Sequence, residues 1–290
     1  MPLYLHANYE YTRLPLGTHC EFMMHELPDG IQLYFETNGN ADSDTTIVFL
    51  NGLSQSTQSW LAIAPSFQKE HHVITLDLVF QGQSGVGEKF RTYDEHAADV
   101  MHLLEKYGKG KIILCGISYG SAVAQHLLVN YPGKFHSALL LSTFAHDTEN
   151  FIALGEKWRD ALVEGGYPKM LDVMLPDVLG KSYFEKPLIP IETLKESRVA
   201  RELRTDSLLK LMKATEVRGD YREKLKRVNV NGKVKVIVAQ GKEDVLIPPS
   251  VAKHVAENIP GAEFVVLEKV GHTLNLEAIP QVIKLLRDLL

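Results

Sequence analysis

Ser118 stands between two glycines, in Gly116-Ile117-Ser118-Tyr119-Gly120. A serine hydroxyl attacks a carbonyl only with a base beside it and an acid to orient that base. The flanking glycines admit the tight strand-to-helix turn on which such a serine sits. A helix starting directly after it favours the negative charge that develops during attack. Taken alone, the pentapeptide also fits an ordinary glycine-rich turn with a helix cap.

The candidate base is His272, in Gly271-His272-Thr273. It follows an apolar run at 263–267 and precedes the last helical pattern. Its small neighbours let the ring project into a cleft. By contrast, His71 and His72 open an apolar run, and His254 falls within a helical pattern. The candidate acid is Asp244, in Gly241-Lys242-Glu243-Asp244 after the run at 234–239. Asp147, just past the run at 137–142, is its rival, and Asp244 is preferred. The chain order serine, acid, histidine fits this chemistry. Tetrahedral chemistry also needs donors for an oxyanion. The expected pair is the backbone N–H of Tyr119 and that of Leu53, in Asn51-Gly52-Leu53-Ser54.

These residues need elements to position them. Continuous apolar runs at 46–50, 73–79, 111–116, 137–142, 234–239 and 263–267 read as strands buried on both faces. Helical patterns at 59–69, 93–107, 121–130, 249–258 and 279–290 separate most of them. This alternation predicts an α/β fold with a mostly parallel sheet. Ser118, Asp244 and His272 then all fall beyond strand C-termini, the rim where open α/β sheets bind ligands. Leu27-Pro28-Asp29-Gly30, between runs at 20–26 and 31–37, reads as a hairpin turn. Residues 1–19 form an arm ahead of it. The alternation stops after Ala145 and resumes near Val234. Between lie helical patterns at 151–165, 169–180, 190–214 and 221–228, an all-helical insertion.

Composition excludes several function classes. The chain has 290 residues, 45 % of them hydrophobic and 23 % charged, which is ordinary globular usage. A net charge of −5 supplies no global field for nucleic acid or an anionic membrane. Two cysteines, Cys20 and Cys115, allow neither a disulfide framework nor a four-cysteine zinc site. Cys115 reads as a small buried hydrophobe. The first 25 residues lack the apolar core of a signal peptide, and no run approaches the ~20 apolar residues of a membrane span. The expected location is cytoplasmic.

Taken together, Asn51-Gly52 with Trp60, Asp77 with Gly82-Gln83-Ser84, Gly116 to Gly120, Gly241…Asp244…Pro248 and Gly271-His272 resemble the α/β-hydrolase superfamily. The resemblance runs from about Gly30 to Leu290. It implies a central, mostly parallel sheet of about eight strands and a helical cap at 147–227, inserted after the sixth strand. The core would then be 1–146 and 228–290. It also implies a Ser118–His272–Asp244 triad without metal or organic cofactor. Many relatives carry His-Gly where this chain has Asn51-Gly52. Haloalkane dehalogenases carry Asp where Ser118 stands. Asn51-Gly52 with residues 77–84 also resembles the branch that takes hydroxyacyl groups from acyl carrier protein. That branch carries Trp-Gly-Gly after its serine, against Tyr119-Gly120-Ser121 here.

The expected activity is therefore cleavage of a carboxylic ester, thioester or similar acyl bond through an acyl-enzyme. An acyltransferase acting on an alcohol or thiol is one alternative, and a non-catalytic ligand-binding protein is another. Asn51, Trp158 and Met174 are the candidates for substrate contact. Phe151, Met170, Leu179 and Tyr183 fit either an acyl pocket or the insertion's own core. Lys195, Arg198, Arg201 and Arg204 could meet an acyl carrier protein. Interspersed Glu196 and Glu202 make a solvated mixed-charge face the simpler reading.

Overall fold

A computed structural model describes residues 19–200, 203–228 and 233–290. The expected arm lies outside these residues, apart from His19. The strands are β1 (His19–Glu26), β2 (Gln32–Gly39), β3 (Thr45–Leu50), β4 (His72–Leu76), β5 (Lys111–Ile117), β6 (Ser137–Leu141), β7 (Lys235–Gly241) and β8 (Glu263–Leu267). They form one sheet in the order β1-β2-β4-β3-β5-β6-β7-β8. The hairpin strand β2 pairs antiparallel with both β1 and β4, and every later pairing is parallel.

The continuous apolar strands feed two cores. Ile47, Phe49, Ile113, Cys115 and Ile117 face one side, with Trp60, Ile63 and Phe67. Val48, Leu50, Ile112 and Leu114 face the other. Alternate residues thus bury against opposite layers, which is why no polar alternation exists in the sequence. Helices α1 (Tyr93–Tyr107), α2 (Tyr119–Asn130) and α8 (Pro249–Asn258) cover the second face, and α10 (Ile279–Arg287) covers the first. A capping box starts α1. Thr92 Oγ1 accepts from Glu95 N, and the Glu95 carboxylate accepts from Thr92 N, so two otherwise orphaned donors are satisfied.

The helix expected at 59–69 is corrected to two short 3-10 turns, Thr57–Trp60 and Ala64–Ser66. Pro65 removes a backbone donor there. Thr57 N is drawn instead to Asp77 Oδ1, 2.8 Å away.

Between β6 and β7 the described chain is helical: α3 (Glu149–Val178), α4 (Lys181–Glu185), α5 (Ile191–Val199), α6 (Thr205–Val217) and α7 (Arg222–Leu225). Gly166, with φ 69° and ψ −168°, breaks α3 into two arms. The single pattern at 190–214 is two helices, α5 and α6. The short α9 (Leu274–Glu277) follows His272. No helix among the described residues is long and apolar enough to cross a membrane.

Candidate active site

The site begins where β5 meets α2. Ser118 has φ 52° and ψ −113°, a left-handed conformation that costs free energy in a residue with a Cβ. The surroundings hold it there. Ser118 N donates to Leu141 O at 2.9 Å. A Cβ on Gly120 would lie 2.3 Å from Leu50 O, and one on Gly116 would lie 2.5 Å from Gly120 O. The two glycines let α2 start directly against the ends of β3 and β5, leaving the serine at its first turn.

His272 and Asp244 come from the loops after β8 and β7. His272 Nδ1 donates to Asp244 Oδ2 at 2.7 Å, with both residues almost wholly buried. Asp244 is held by two further donors: Ile247 N reaches Oδ1 at 2.8 Å and Gln240 Nε2 reaches Oδ2 at 2.5 Å. His272 is fixed through its backbone as well. Its N–H donates to Val178 O at 2.9 Å, and its C=O accepts from Ser142 Oγ at 2.6 Å. Asp147 is engaged elsewhere, in an ion pair with Arg218, whose guanidinium lies 4.5 Å from the Phe144 ring centroid. Ser118 and His272 line one pocket, and no hydrogen bond joins their side chains among the described residues. Such contacts commonly tighten only when substrate binds.

The loop after β3 supplies the facing wall. Leu53 lines the pocket. The N–H groups of Leu53 and Tyr119 have no acceptor among the described residues, as an oxyanion site requires. The Tyr119 side chain points inward, against Tyr93 and His96.

Asn51 is corrected from substrate contact to a strut. It is fully buried and does not line the pocket. Its Nδ2 donates to Leu76 O and Asp77 Oδ1, and its Oδ1 accepts from Trp60 Nε1 at 2.9 Å. Asp77 also accepts from Thr57 N and Gln83 N. Burial raises its pKa to about 6 against these hydrogen bonds. Gln81 Nε2 donates to Gly52 O at 2.8 Å. Asn51, held by Asp77, and Gln81 therefore brace the loop after β3 from behind, which Gly82-Gln83-Ser84 alone does not reveal.

Trp158, Met174 and Val178 close the pocket from α3, and Leu246 from the loop before α8. Trp158 Nε1 donates to Asp177 Oδ2 at 2.8 Å. The pocket encloses about 410 Å³ of atom-free space, solvent at its mouth included. Sequence reasoning places Arg198 on a mixed-charge face, but it is buried and lines this pocket. Lys195 and Arg204 do lie outward, paired with Asp172 and Asp206. Arg201 falls outside the described residues. The helical period alone does not separate Arg198 from its neighbours.

The profile of the alpha/beta hydrolase fold family matches residues 45–279, and the chain belongs to that family. Among its relatives is the dihydrolipoyllysine-residue acetyltransferase component of the acetoin cleaving system of Pseudomonas putida. It is 26 % identical over 250 residues, which is 86 % of this chain but 64 % of that protein. This chain thus spans under two thirds of that relative's length. The monoacylglycerol lipase ABHD6 of Bos taurus is 24 % identical over 294 residues, 97 % of this chain and 85 % of that one. The structure is similar to that of MGS-M2, an alpha/beta hydrolase enzyme from a Medee basin deep-sea metagenome library. The TM-score is 0.84 at 25 % identity, covering 92 % of this chain and 96 % of that one.

Proposed function

We propose that this protein is a serine hydrolase that cleaves a carboxylic ester, thioester or similar acyl bond. The observation that carries the proposal is one arrangement. A serine in a strained turn shares a pocket with a histidine, whose other ring nitrogen is bonded to a buried aspartate.

In the proposed reaction Ser118 Oγ attacks the acyl carbon while His272 Nε2 takes its proton. Asp244 keeps the proton on Nδ1 and stabilises the imidazolium. The N–H groups of Leu53 and Tyr119 hold the oxyanion. His272 then gives its proton to the leaving oxygen or sulfur, leaving an acyl-serine. Water, deprotonated by His272, attacks that ester and regenerates the hydroxyl. Residues 147–227 act as a cap over a core of 1–146 and 228–290, with α3 and α5 bounding the substrate.

The test is hydrolysis of p-nitrophenyl esters by wild type and Ser118→Ala, alongside fluorophosphonate labelling. Turnover and labelling by wild type alone support the proposal. Turnover that survives in Ser118→Ala overturns it. The similarity to a protein named as an acetyltransferase component keeps acyl transfer as a second reading. Partition of product between free acid and an added alcohol or thiol separates the two.

A further inference from the structure

Arg198 has no part in that reaction, yet it faces it. It lies near the end of α5, is 8 % exposed, and lines the pocket with Ser118, His272, Trp158 and Met174. Its guanidinium makes no hydrogen bond or ion pair with any described residue. The described acids near the site are engaged elsewhere. Asp244 serves His272, Asp177 pairs with Lys157 and Trp158, and Asp172 pairs with Lys195. A guanidinium keeps its charge in proteins, and with no partner among the described residues its donors are left to whatever enters the pocket. Among otherwise mainly apolar walls, such a group is a selective receptor for an anion. Its planar fork matches a carboxylate with two parallel hydrogen bonds.

We propose that Arg198 is a specificity-determining residue that binds a carboxylate carried by the substrate. The preferred substrates are then acyl compounds with a second, ionised carboxyl group, such as half-esters of dicarboxylic acids. This inference rests on the serine-hydrolase reading and names its substrate class. In the ester Arg198 would pair with the distant carboxylate, orienting the neutral acyl carbon toward Ser118. An apolar chain of equal length would leave the guanidinium unpaired and lose that orientation.

The test compares chain-matched esters. The p-nitrophenyl half-ester of adipic acid carries the charge on the acyl side, and p-nitrophenyl hexanoate is its neutral match. A 3-carboxyphenyl hexanoate and phenyl hexanoate pair places the charge on the leaving group. The expected result is a kcat/KM preference of about tenfold to a hundredfold for one charged ester, the range of a charge-assisted hydrogen bond. Arg198→Met should abolish that preference, with kcat/KM for the charged ester falling about tenfold or more further than kcat/KM for its neutral match. Arg198→Lys should restore part of it, and it stands in for the Arg198→Met variant should that one not fold.

Binding is measured in parallel, by calorimetry of monomethyl adipate and dimethyl adipate with Ser118→Ala. Binding of the charged ligand, lost on adding Arg198→Met, supports the inference even without turnover. If the Arg198→Met change leaves the handling of charged and neutral ligands as it was, in both assays, the inference is overturned and the hydrolase reading stays intact. Absence of labelling and turnover overturns the hydrolase reading alone, and the calorimetry then decides the role of Arg198.

Discussion

Gly180 and Gly271 meet backbone to backbone: a Cβ on Gly271 would lie 2.2 Å from Gly180 N. Glu277 Oε2 accepts from both their N–H groups at 2.9 Å, and Oε1 accepts from Thr273 N and Thr273 Oγ1. One carboxylate on α9 thus ties the loop bearing His272 to the end of α3. Gly271→Ala should separate the two segments, lowering Tm and moving His272 off line. Glu277→Ala should cost about 2–4 kcal/mol, because several backbone donors lose their acceptor. Thermal unfolding with kcat on a p-nitrophenyl ester checks both. Unchanged Tm in both variants would show that the contact carries no stability.

The two candidate acids separate cleanly by mutation. Asp244→Asn should lower kcat by roughly 10³–10⁴, because the histidine loses its tautomer and its counter-charge. Asp147→Asn should leave kcat near wild type and cost stability only, through the Arg218 ion pair. Steady-state kinetics of both variants, each checked for folding by circular dichroism, decides the assignment.

Acyl length should be limited by α3. Trp158, Met174 and Val178 wall the pocket opposite Ser118, so a long acyl chain meets their side chains. Long, neutral acyl chains such as palmitoyl should fall behind butyryl or hexanoyl by about tenfold or more in kcat/KM. Trp158→Ala should move the optimum toward longer chains. A p-nitrophenyl ester series measured with both proteins tests this, and a flat profile would contradict it.

His96 should make the protein acid-sensitive. Its ring is fully buried, neither nitrogen has a partner among the described residues, and burial lowers its pKa to about 3. Between pH 6.5 and about 3 the unfolded chain binds a proton that the folded ring refuses. Stability therefore falls as pH drops through that window. At pH 5 the loss from this residue is about 2 kcal/mol. His96→Leu should raise Tm more at about pH 5 than at about pH 7.5, on the far side of the ordinary histidine range. Equal shifts at both pH values would mean that the histidine is not the source.

Much of this architecture is legible in the sequence because strand and turn chemistry are local. The apolar runs mark the parallel strands, and glycine spacing around Ser118 marks the strand–helix turn. The hairpin is legible from its Pro-Asp-Gly turn. What stays hidden depends on packing at long range. Asn51 looks like a substrate contact because a polar residue beside a glycine turn offers no sign that Trp60, Leu76 and Asp77 consume its amide. Residues 59–69 carry helical spacing, but Pro65 and the pull of Asp77 on Thr57 N break the chain into turns. Arg198 shares its charge pattern with Lys195 and Arg204, and only the packing of α5 distinguishes the inward residue. Glu277 gives no signal, since its four donors gather only after folding.

The order of the strands has a consequence for biosynthesis. β5, which leads into the Ser118 turn, is central in the sheet and made before β7 and β8, which lie at one edge. Ser118 therefore leaves the ribosome well before Asp244 and His272 exist. In the proposed mechanism, a nascent chain holding only the first six strands has Ser118 without its proton acceptor. On the proposed mechanism, a chain stopped after β6 should show no acyl turnover, because the loops after β7 and β8 that hold Asp244 and His272 are absent.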